Sequence, residues 1–227
     1  MKKTILPFLV LFALSASCVF SQSIEERKLN HFDKLRVTQQ IKVYLTQGES
    51  EKAKIVSIGI EPSEVITEVT GKTLEISLKR GVYKDIKVEV WLSYRELRDI
   101  YATASSTIVA ESTLTGDKMV LNAFTGSQID ATLQLRTADF AIDKGGNINL
   151  KGTIGSYEAK VSSGGILSAL DLTADSVYVN VSTRAIAKVH SKKLLDAKVL
   201  SGSTLTITGD PISKKIKSGI ATTVLEQ

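Results

Sequence analysis

The segments that decide the fold are short turns that recur along the second half of the chain. Residues 143–148 read DKGGNI and residues 162–167 read SSGGIL, and related turns precede and follow them. Each turn is closed by a residue that falls at position 108, 129, 148, 167, 187 or 205, so the units are 18 to 21 residues long. A period near 19 residues predicts one coil of a β-solenoid, with short strands that rise about 3.3 Å per residue between turns.

The apolar residues before each turn predict a continuous core. Phe140 and Ile142 occupy the same places in their unit as Ala159 and Val161 in the next one. One coil cannot bury such a face alone, but stacked coils bury it against each other. We therefore expect about five stacked coils, with the intervening polar side chains aligned in outward rows.

The first part of the body also reads as strand. Residues 41–45 (IKVYL), 74–78 (LEISL) and 86–92 (IKVEVWL) alternate apolar and polar side chains. Period-two alternation with frequent turns indicates an all-β domain that buries one face of its strands. Trp91 ends one of these runs, and we expect it in the core.

These patterns predict the organisation of the whole chain as an all-β protein. We expect a single β domain over residues 22–212, with N-terminal strands at 22–101 and a parallel β-helix at 102–212. Residues 213–227 are expected to form a final strand or a cap. The hydrophobic content of 43% is sufficient for a core and excludes wholesale disorder.

The first 21 residues, MKKTILPFLVLFALSASCVFS, have the features of a secretory signal peptide. Lys2 and Lys3 precede an apolar run that is too short to span a membrane, and cleavage is expected after Ser21. Cys18 is the one candidate for lipid attachment. Ser15 stands where a lipoprotein signal has a large aliphatic residue, so the motif argues against lipidation.

The outward rows supply the candidate binding residues. Asp139, Glu158 and Tyr178 are expected in one row, and Lys160 and Asn180 beside them in the next. Such a face is either a solvated surface or a polar surface that binds a glycan or a protein at the cell envelope.

The order of the segments carries a family resemblance. The segments are FDKL at 32–35, IKVYLTQG at 41–48, GKTLEI at 71–76, IKVEV at 86–90, the serial turns, and GDP at 209–211. In this order, over about residues 30–212, the chain resembles the head GIN domain family of auto-transporter adhesins. The resemblance implies an exported protein with a right-handed parallel β-helix after N-terminal strands, and it brings no catalytic residues. The chain departs from the family pattern at residues 183–185 (TRA), where small, glycine-like residues are usual.

The chain lacks the sequence motifs of the common enzyme classes. One cysteine and two histidines argue against a disulfide or a metal site, and no cofactor is expected. Acid pairs are the remaining route to catalysis, because glycoside hydrolysis needs two carboxylates that face one cleft. Asp130, Asp139 and Glu158 are the candidates, but the last two are expected as neighbours on a flat wall.

The sequence thus predicts an exported, non-enzymatic binding module that is periplasmic, outer-membrane-associated or secreted. The alternative is a polysaccharide-degrading β-helix enzyme, either a hydrolase or a lyase. The formal net charge of +5 falls to +3 without the two leader lysines, which is too small to indicate nucleic-acid binding. No transmembrane segment is expected, and the open end of a β-helix makes a homo-oligomer plausible.

Overall fold

A computed structural model describes residues 22–227 of the 227-residue chain. The signal peptide expected at residues 1–21 and the candidate lipidation site Cys18 lie outside the described residues. The described part forms one sheet of seventeen strands, together with a single 3₁₀ turn at Pro62–Glu64.

The strands differ in length, and the longest ones lie in the repeat region. The strands are β1 (Ser23–Lys28), β2 (Lys34–Val37), β3 (Lys42–Gln47), β4 (Lys52–Ile58), β5 (Val65–Thr70), β6 (Thr73–Leu78), β7 (Lys87–Tyr94), β8 (Asp99–Ala102), β9 (Thr107–Ala110), β10 (Leu114–Phe124), β11 (Gln128–Asp143), β12 (Asn147–Val161), β13 (Ile166–Val181), β14 (Ile186–Val199), β15 (Thr204–Thr208), β16 (Ser213–Ser218) and β17 (Thr223–Glu226).

The architecture is a β-solenoid of about seven turns with coils of about 19 residues, which confirms the predicted fold class. The expected number of about five coils was too low, because N-terminal strands and residues after 212 also join the solenoid. Strands β10 to β14 pair in parallel, each with the next along the chain. The C-terminal half of each long strand belongs to one stack of strands, which includes β2, β8 and β16. The N-terminal half belongs to a second stack, which includes β3, β9 and β15. The handedness of the coil stays a prediction.

The core lies between the two stacks. It consists of rows of side chains whose residues pair from one strand to the next. Leu121, Phe140, Ala159 and Val179 pair in sequence across four strands, and all four side chains are buried. The row that starts at Ile129 on the second stack is buried in the same way. The prediction that stacked coils make one continuous core is therefore confirmed.

The corners between coils use two consecutive residues in the left-handed backbone region. Lys144 and Gly145 have φ of 50° and 74°, and the corners before and after repeat this pair. Glycine adopts this conformation without strain, whereas other residues pay a steric cost. Thr183 and Arg184 make the same corner with φ of 57° and 58°, so the departure from the glycine-rich pattern leaves the turn intact.

The N-terminal strands enter the solenoid out of chain order. Strand β2 pairs in parallel with both β6 and β8, and β3 pairs with both β7 and β9. Beyond them, β4 and β1 extend the second stack with antiparallel pairing, while β5 extends the first. Arg27 on β1 donates hydrogen bonds to the backbone oxygens of Val65 and Pro62, which joins the two terminal strands across the core.

The residues after 212 form two strands rather than an irregular tail. Strand β16 pairs in parallel with the second half of β14, and β17 pairs with β15. Ile216 and Val224 pack against the core, so this segment adds one further coil. Three lysines, at positions 214, 215 and 217, lie on β16 at the end of its stack.

Candidate functional site

The residues predicted as a binding face lie together on the first stack. Asp139, Glu158 and Tyr178 occupy paired positions on β11, β12 and β13, and Lys160 pairs with Asn180 two residues further along. Neighbouring strands are about 4.8 Å apart, so these side chains form a regular array. We call these five residues the outer row.

The charges of the outer row are paired with lysines at the surface. Lys118 Nζ lies 2.7 Å from Asp139 Oδ2, and Lys160 Nζ lies 3.1 Å from Glu158 Oε1. All four side chains are about half exposed or more, and such pairs contribute only about 0 to 1 kcal/mol each to stability. The charged groups can therefore exchange their present partners for a ligand at little energetic cost.

Two shallow depressions border the outer row. One, of about 240 Å³, is lined mainly by Asn122, Asp139, Glu158 and Lys160. The other, of about 330 Å³, lies between Glu158 and Tyr178, whose side chain is 45% exposed. Small-molecule pockets measure about 300 to 1,000 Å³, so the first depression lies below this range and the second at its lower limit, which suits an extended contact surface better than an enclosed site.

A further acid lies on the first stack, two coils before Asp139. Asp99 pairs with Val120, which in turn pairs with Asp139. Partial burial raises the pKa of Asp99, and the nearby charge of Lys34 and a hydrogen bond from Asn122 oppose this shift. Asp99 thus has a less polar environment than the exposed acids of the outer row.

The carboxylates are arranged along one surface and do not face each other. Asp139 and Glu158 are adjacent in register and each is held by its own lysine, whereas the glycosidase arrangement places two carboxyls across a gap of about 5 to 9.5 Å. Among residues 22–227 there is no cluster of three or more His, Cys, Asp and Glu side chains that could hold a metal. The two histidines are far apart: His31 contacts Glu51 at 2.7 Å and His190 contacts Thr208 at 3.0 Å.

Asp130, the third acid considered from the sequence, lies on the second stack. Its carboxylate accepts hydrogen bonds from Gln128 at 2.7 Å and from Asn149 at 2.6 Å. The structure therefore separates Asp130 from Asp139 and Glu158, and the three acids do not form one site.

One aromatic surface on the second stack lies outside the sites predicted from the sequence. Trp91 was expected in the core, and this is wrong: its side chain is only partly buried and stacks on Tyr44, with ring centroids 5.0 Å apart and an angle of 19° between the planes. Val90 and Leu92 on either side are buried, so strand alternation directs Trp91 outward. The parity of the strand was the signal that could have placed it correctly.

No helix within residues 22–227 is long and apolar enough to cross a membrane.

Known proteins with this architecture support the family resemblance. A family model described as "Putative auto-transporter adhesin, head GIN domain" matches residues 31–211. The crystal structure of a putative adhesin from Bacteroides fragilis NCTC 9343 is similar, with a TM-score of 0.81, 18% identity, and coverage of 91% of this chain and 97% of that chain. A search of curated protein sequences found no match.

Two structures from Parabacteroides distasonis ATCC 8503 share the fold. One is a putative adhesin, with a TM-score of 0.73, 18% identity, and coverage of 91% of this chain and 97% of the other. The second is a putative lipid binding protein, with a TM-score of 0.67, 16% identity, and coverage of 91% and 96%. At these identities the structures establish the fold, and the match of the family model over most of the chain shows that this protein belongs to the head GIN domain family.

Proposed function

We propose that this protein is an exported, non-enzymatic binding module that contacts a glycan or a protein at the cell envelope through the outer row. The observation that carries the proposal is the alignment of Asp139, Glu158, Tyr178, Lys160 and Asn180 on three adjacent strands. This array offers carboxylate, ammonium, amide and phenol groups at a spacing of about 4.8 Å.

The proposed location follows from the leader sequence and agrees with the adhesin family. A basic start, a short apolar run and small residues near Ser21 direct export, and the mature protein begins at Gln22. It then resides in the periplasm, at the outer membrane or outside the cell. Because Cys18 lies within the leader, cleavage after Ser21 removes it.

The non-enzymatic assignment rests on the arrangement of the acids. Two carboxylates on a flat row cannot act from opposite sides of a glycosidic bond, and each one here is neutralised by its own lysine. Binding needs only the contact surface, which the solenoid supplies over several coils.

The test compares two double variants of residues 22–227 by biolayer interferometry. The immobilised probes are a panel of neutral glycans and of extracellular-matrix proteins. We expect Glu158→Ala/Tyr178→Ala to weaken binding at least tenfold, because it removes a charge and an aromatic surface from the outer row. Ser168→Ala/Lys188→Ala changes a matched row on the second stack and is expected to leave binding unchanged. Equal affinity of both variants for every bound probe would contradict the proposal.

We also propose that the molecule can self-associate through its last coil. Strands β16 and β17 have pairing partners on one side only within the described residues, so their other edges can accept another strand. The lysines of β16 repel a second copy, so association is expected to strengthen with salt. Light scattering measures the mass in solution. A monomer at every salt and protein concentration would contradict this part of the proposal.

A further inference from the structure

We propose that a cleft beside Trp91 binds an acidic sugar residue, one that carries a carboxylate on a pyranose ring. The cleft has a volume of about 380 Å³, which is large enough for one or two sugar rings. It lies on the second stack and shares no residue with the outer row. Its main lining side chains are those of Glu26, Thr46, Lys52, Lys54, Trp91 and Ser93.

The indole of Trp91 has one face covered and the other open to this cleft. Tyr44, on β3, stacks against the indole from one side. Strand β4 lies on the opposite side of β7, where Lys54 pairs with Trp91. The cleft is lined by Trp91 but not by Tyr44, which places it at the free face. Tyr44 holds the indole in position, and a preorganised aromatic face loses little entropy when a ligand stacks on it.

The charges around the cleft favour an anion. Lys52 and Lys54 are exposed, and neither forms an ion pair within residues 22–227. Glu26 is the one acid in the lining, and it pairs in register with Lys54 on the adjacent strand. Two ammonium groups against one carboxylate leave a net positive charge beside the indole face. A sugar carboxylate can therefore reach an ammonium group while the apolar face of its ring stacks on Trp91.

Two hydroxyl groups in the lining of the cleft can accept hydrogen bonds from a ligand. Ser93 Oγ donates its proton to the backbone oxygen of Ser50 at 2.8 Å, and Thr46 Oγ1 donates to Glu111 at 3.0 Å. With its proton committed, each oxygen keeps lone pairs that can accept a hydrogen bond. Sugar hydroxyl groups are donors that match these acceptors.

Two other aromatic side chains at the surface, those of Tyr101 and Tyr178, fit a sugar ring less well. The ring of Tyr101 has the guanidinium of Arg36 at 4.4 Å over its centroid and the ring of Phe124 at 5.3 Å. Tyr178 is exposed, and no aromatic ring among residues 22–227 stacks on it. Within residues 22–227, Trp91 alone combines a supported ring, a free face and unpaired cations.

The experiment uses the single tryptophan of the chain as a reporter, because its emission comes from the proposed cleft. Residues 22–227 are titrated with tetragalacturonate, with a sialylated trisaccharide and with the methyl ester of the first probe. We expect a saturable change in emission with an acidic probe, and at least tenfold weaker binding of the neutral ester. Binding of one acidic probe alone identifies the sugar source.

Variants then separate stacking from charge, with binding measured by calorimetry. Trp91→Ala is expected to abolish binding, and Trp91→Phe to retain part of it. Lys54→Gln should weaken binding about tenfold, while Lys188→Gln, an exposed lysine further along the same stack, should have no effect. An unchanged emission with both acidic probes, equal binding of acid and ester, or equal effects of the two lysine variants would overturn the proposal. None of these results depends on the outer row, because Glu158→Ala/Tyr178→Ala leaves the cleft intact.

Discussion

Replacement of Tyr157 by phenylalanine is expected to stabilise the protein. Tyr157 is 1% exposed, and its hydroxyl group has no hydrogen-bond partner among the described residues. Its ring packs 5.1 Å from that of Phe140 inside the solenoid. Burial alone raises the pKa of Tyr157 far above its usual value, which reflects how apolar this position is.

The size of the effect follows from the cost of burying an unsatisfied polar group. That cost is about 1 to 3 kcal/mol, and phenylalanine removes it while it keeps the ring and its contacts. For a chain of this length, 1 kcal/mol shifts the melting temperature by about 2 to 4 °C. The variant should therefore melt at a temperature about 2 to 12 °C higher than the parent protein.

Calorimetry and urea denaturation of residues 22–227 measure this difference. Tyr178→Phe is the matched control, because it removes a hydroxyl group that is exposed, and surface changes are usually within about 0.5 kcal/mol. A Tyr157→Phe variant that is less stable than the parent would refute the reasoning, since it would show that the hydroxyl group is hydrogen-bonded in solution.

The corners and the N-terminal strands give four further predictions. Gly145→Ala should lower the free energy of unfolding by about 1 to 2 kcal/mol, because alanine would have to keep the positive φ. The cost is limited to this backbone strain, since the added Cβ meets open space. Gly146→Ala should cost about 3 kcal/mol, because its Cβ would overlap the carbonyl oxygen of Ala123, and urea denaturation compares the two. Arg184→Gly should stabilise by about 1 kcal/mol in the same assay, since it relieves a left-handed backbone at an exposed site, and an unchanged midpoint would contradict this strain. Burial raises the pKa of Asp33, but the hydrogen bond and charge of Arg98 and the charges of Lys72 and Lys34 outweigh it, so the pKa lies below its usual value. Asp33 therefore contributes stability above its unfolded pKa of about 3.9, and that contribution is lost as the pH falls through the folded value. The free energy of unfolding of Asp33→Asn should therefore change less with pH below pH 5 than that of the parent protein. Identical pH profiles of the two proteins would contradict the lowered pKa of Asp33.

The repeat region could be predicted from the sequence because local sequence patterns determine which residues pair between neighbouring coils. A period near 19 residues aligns Phe140 with Ala159 and Asp139 with Glu158, and the structure pairs them in this way. Strand alternation then decides which side chain is buried, so the core and the outer row both follow from counting. Composition alone does not predict the corner at Arg184. This corner contains no glycine, yet it has the same left-handed backbone as the glycine-containing corners of the neighbouring coils.

The N-terminal part could not be predicted to the same depth because its pairing is not sequential. No local pattern indicates that β2 lies between β6 and β8, or that β4 pairs antiparallel with β7. Strand β1 reads as a polar segment because one of its faces is exposed and Arg27 covers the end of the core. Trp91 is hydrophobic but stands at an outward position of the alternation, and the position decides its exposure.

The most direct test of the account is one paired measurement on residues 22–227. Binding to a glycan array is recorded together with the release of reducing ends and unsaturated products from the same glycans. Binding without product is expected, and binding to neutral glycans is expected to be lost in Glu158→Ala/Tyr178→Ala, since acidic glycans also bind at the Trp91 cleft. Product release that disappears in Asp139→Asn or Glu158→Gln would contradict this expectation, because these carboxylates would then act in catalysis.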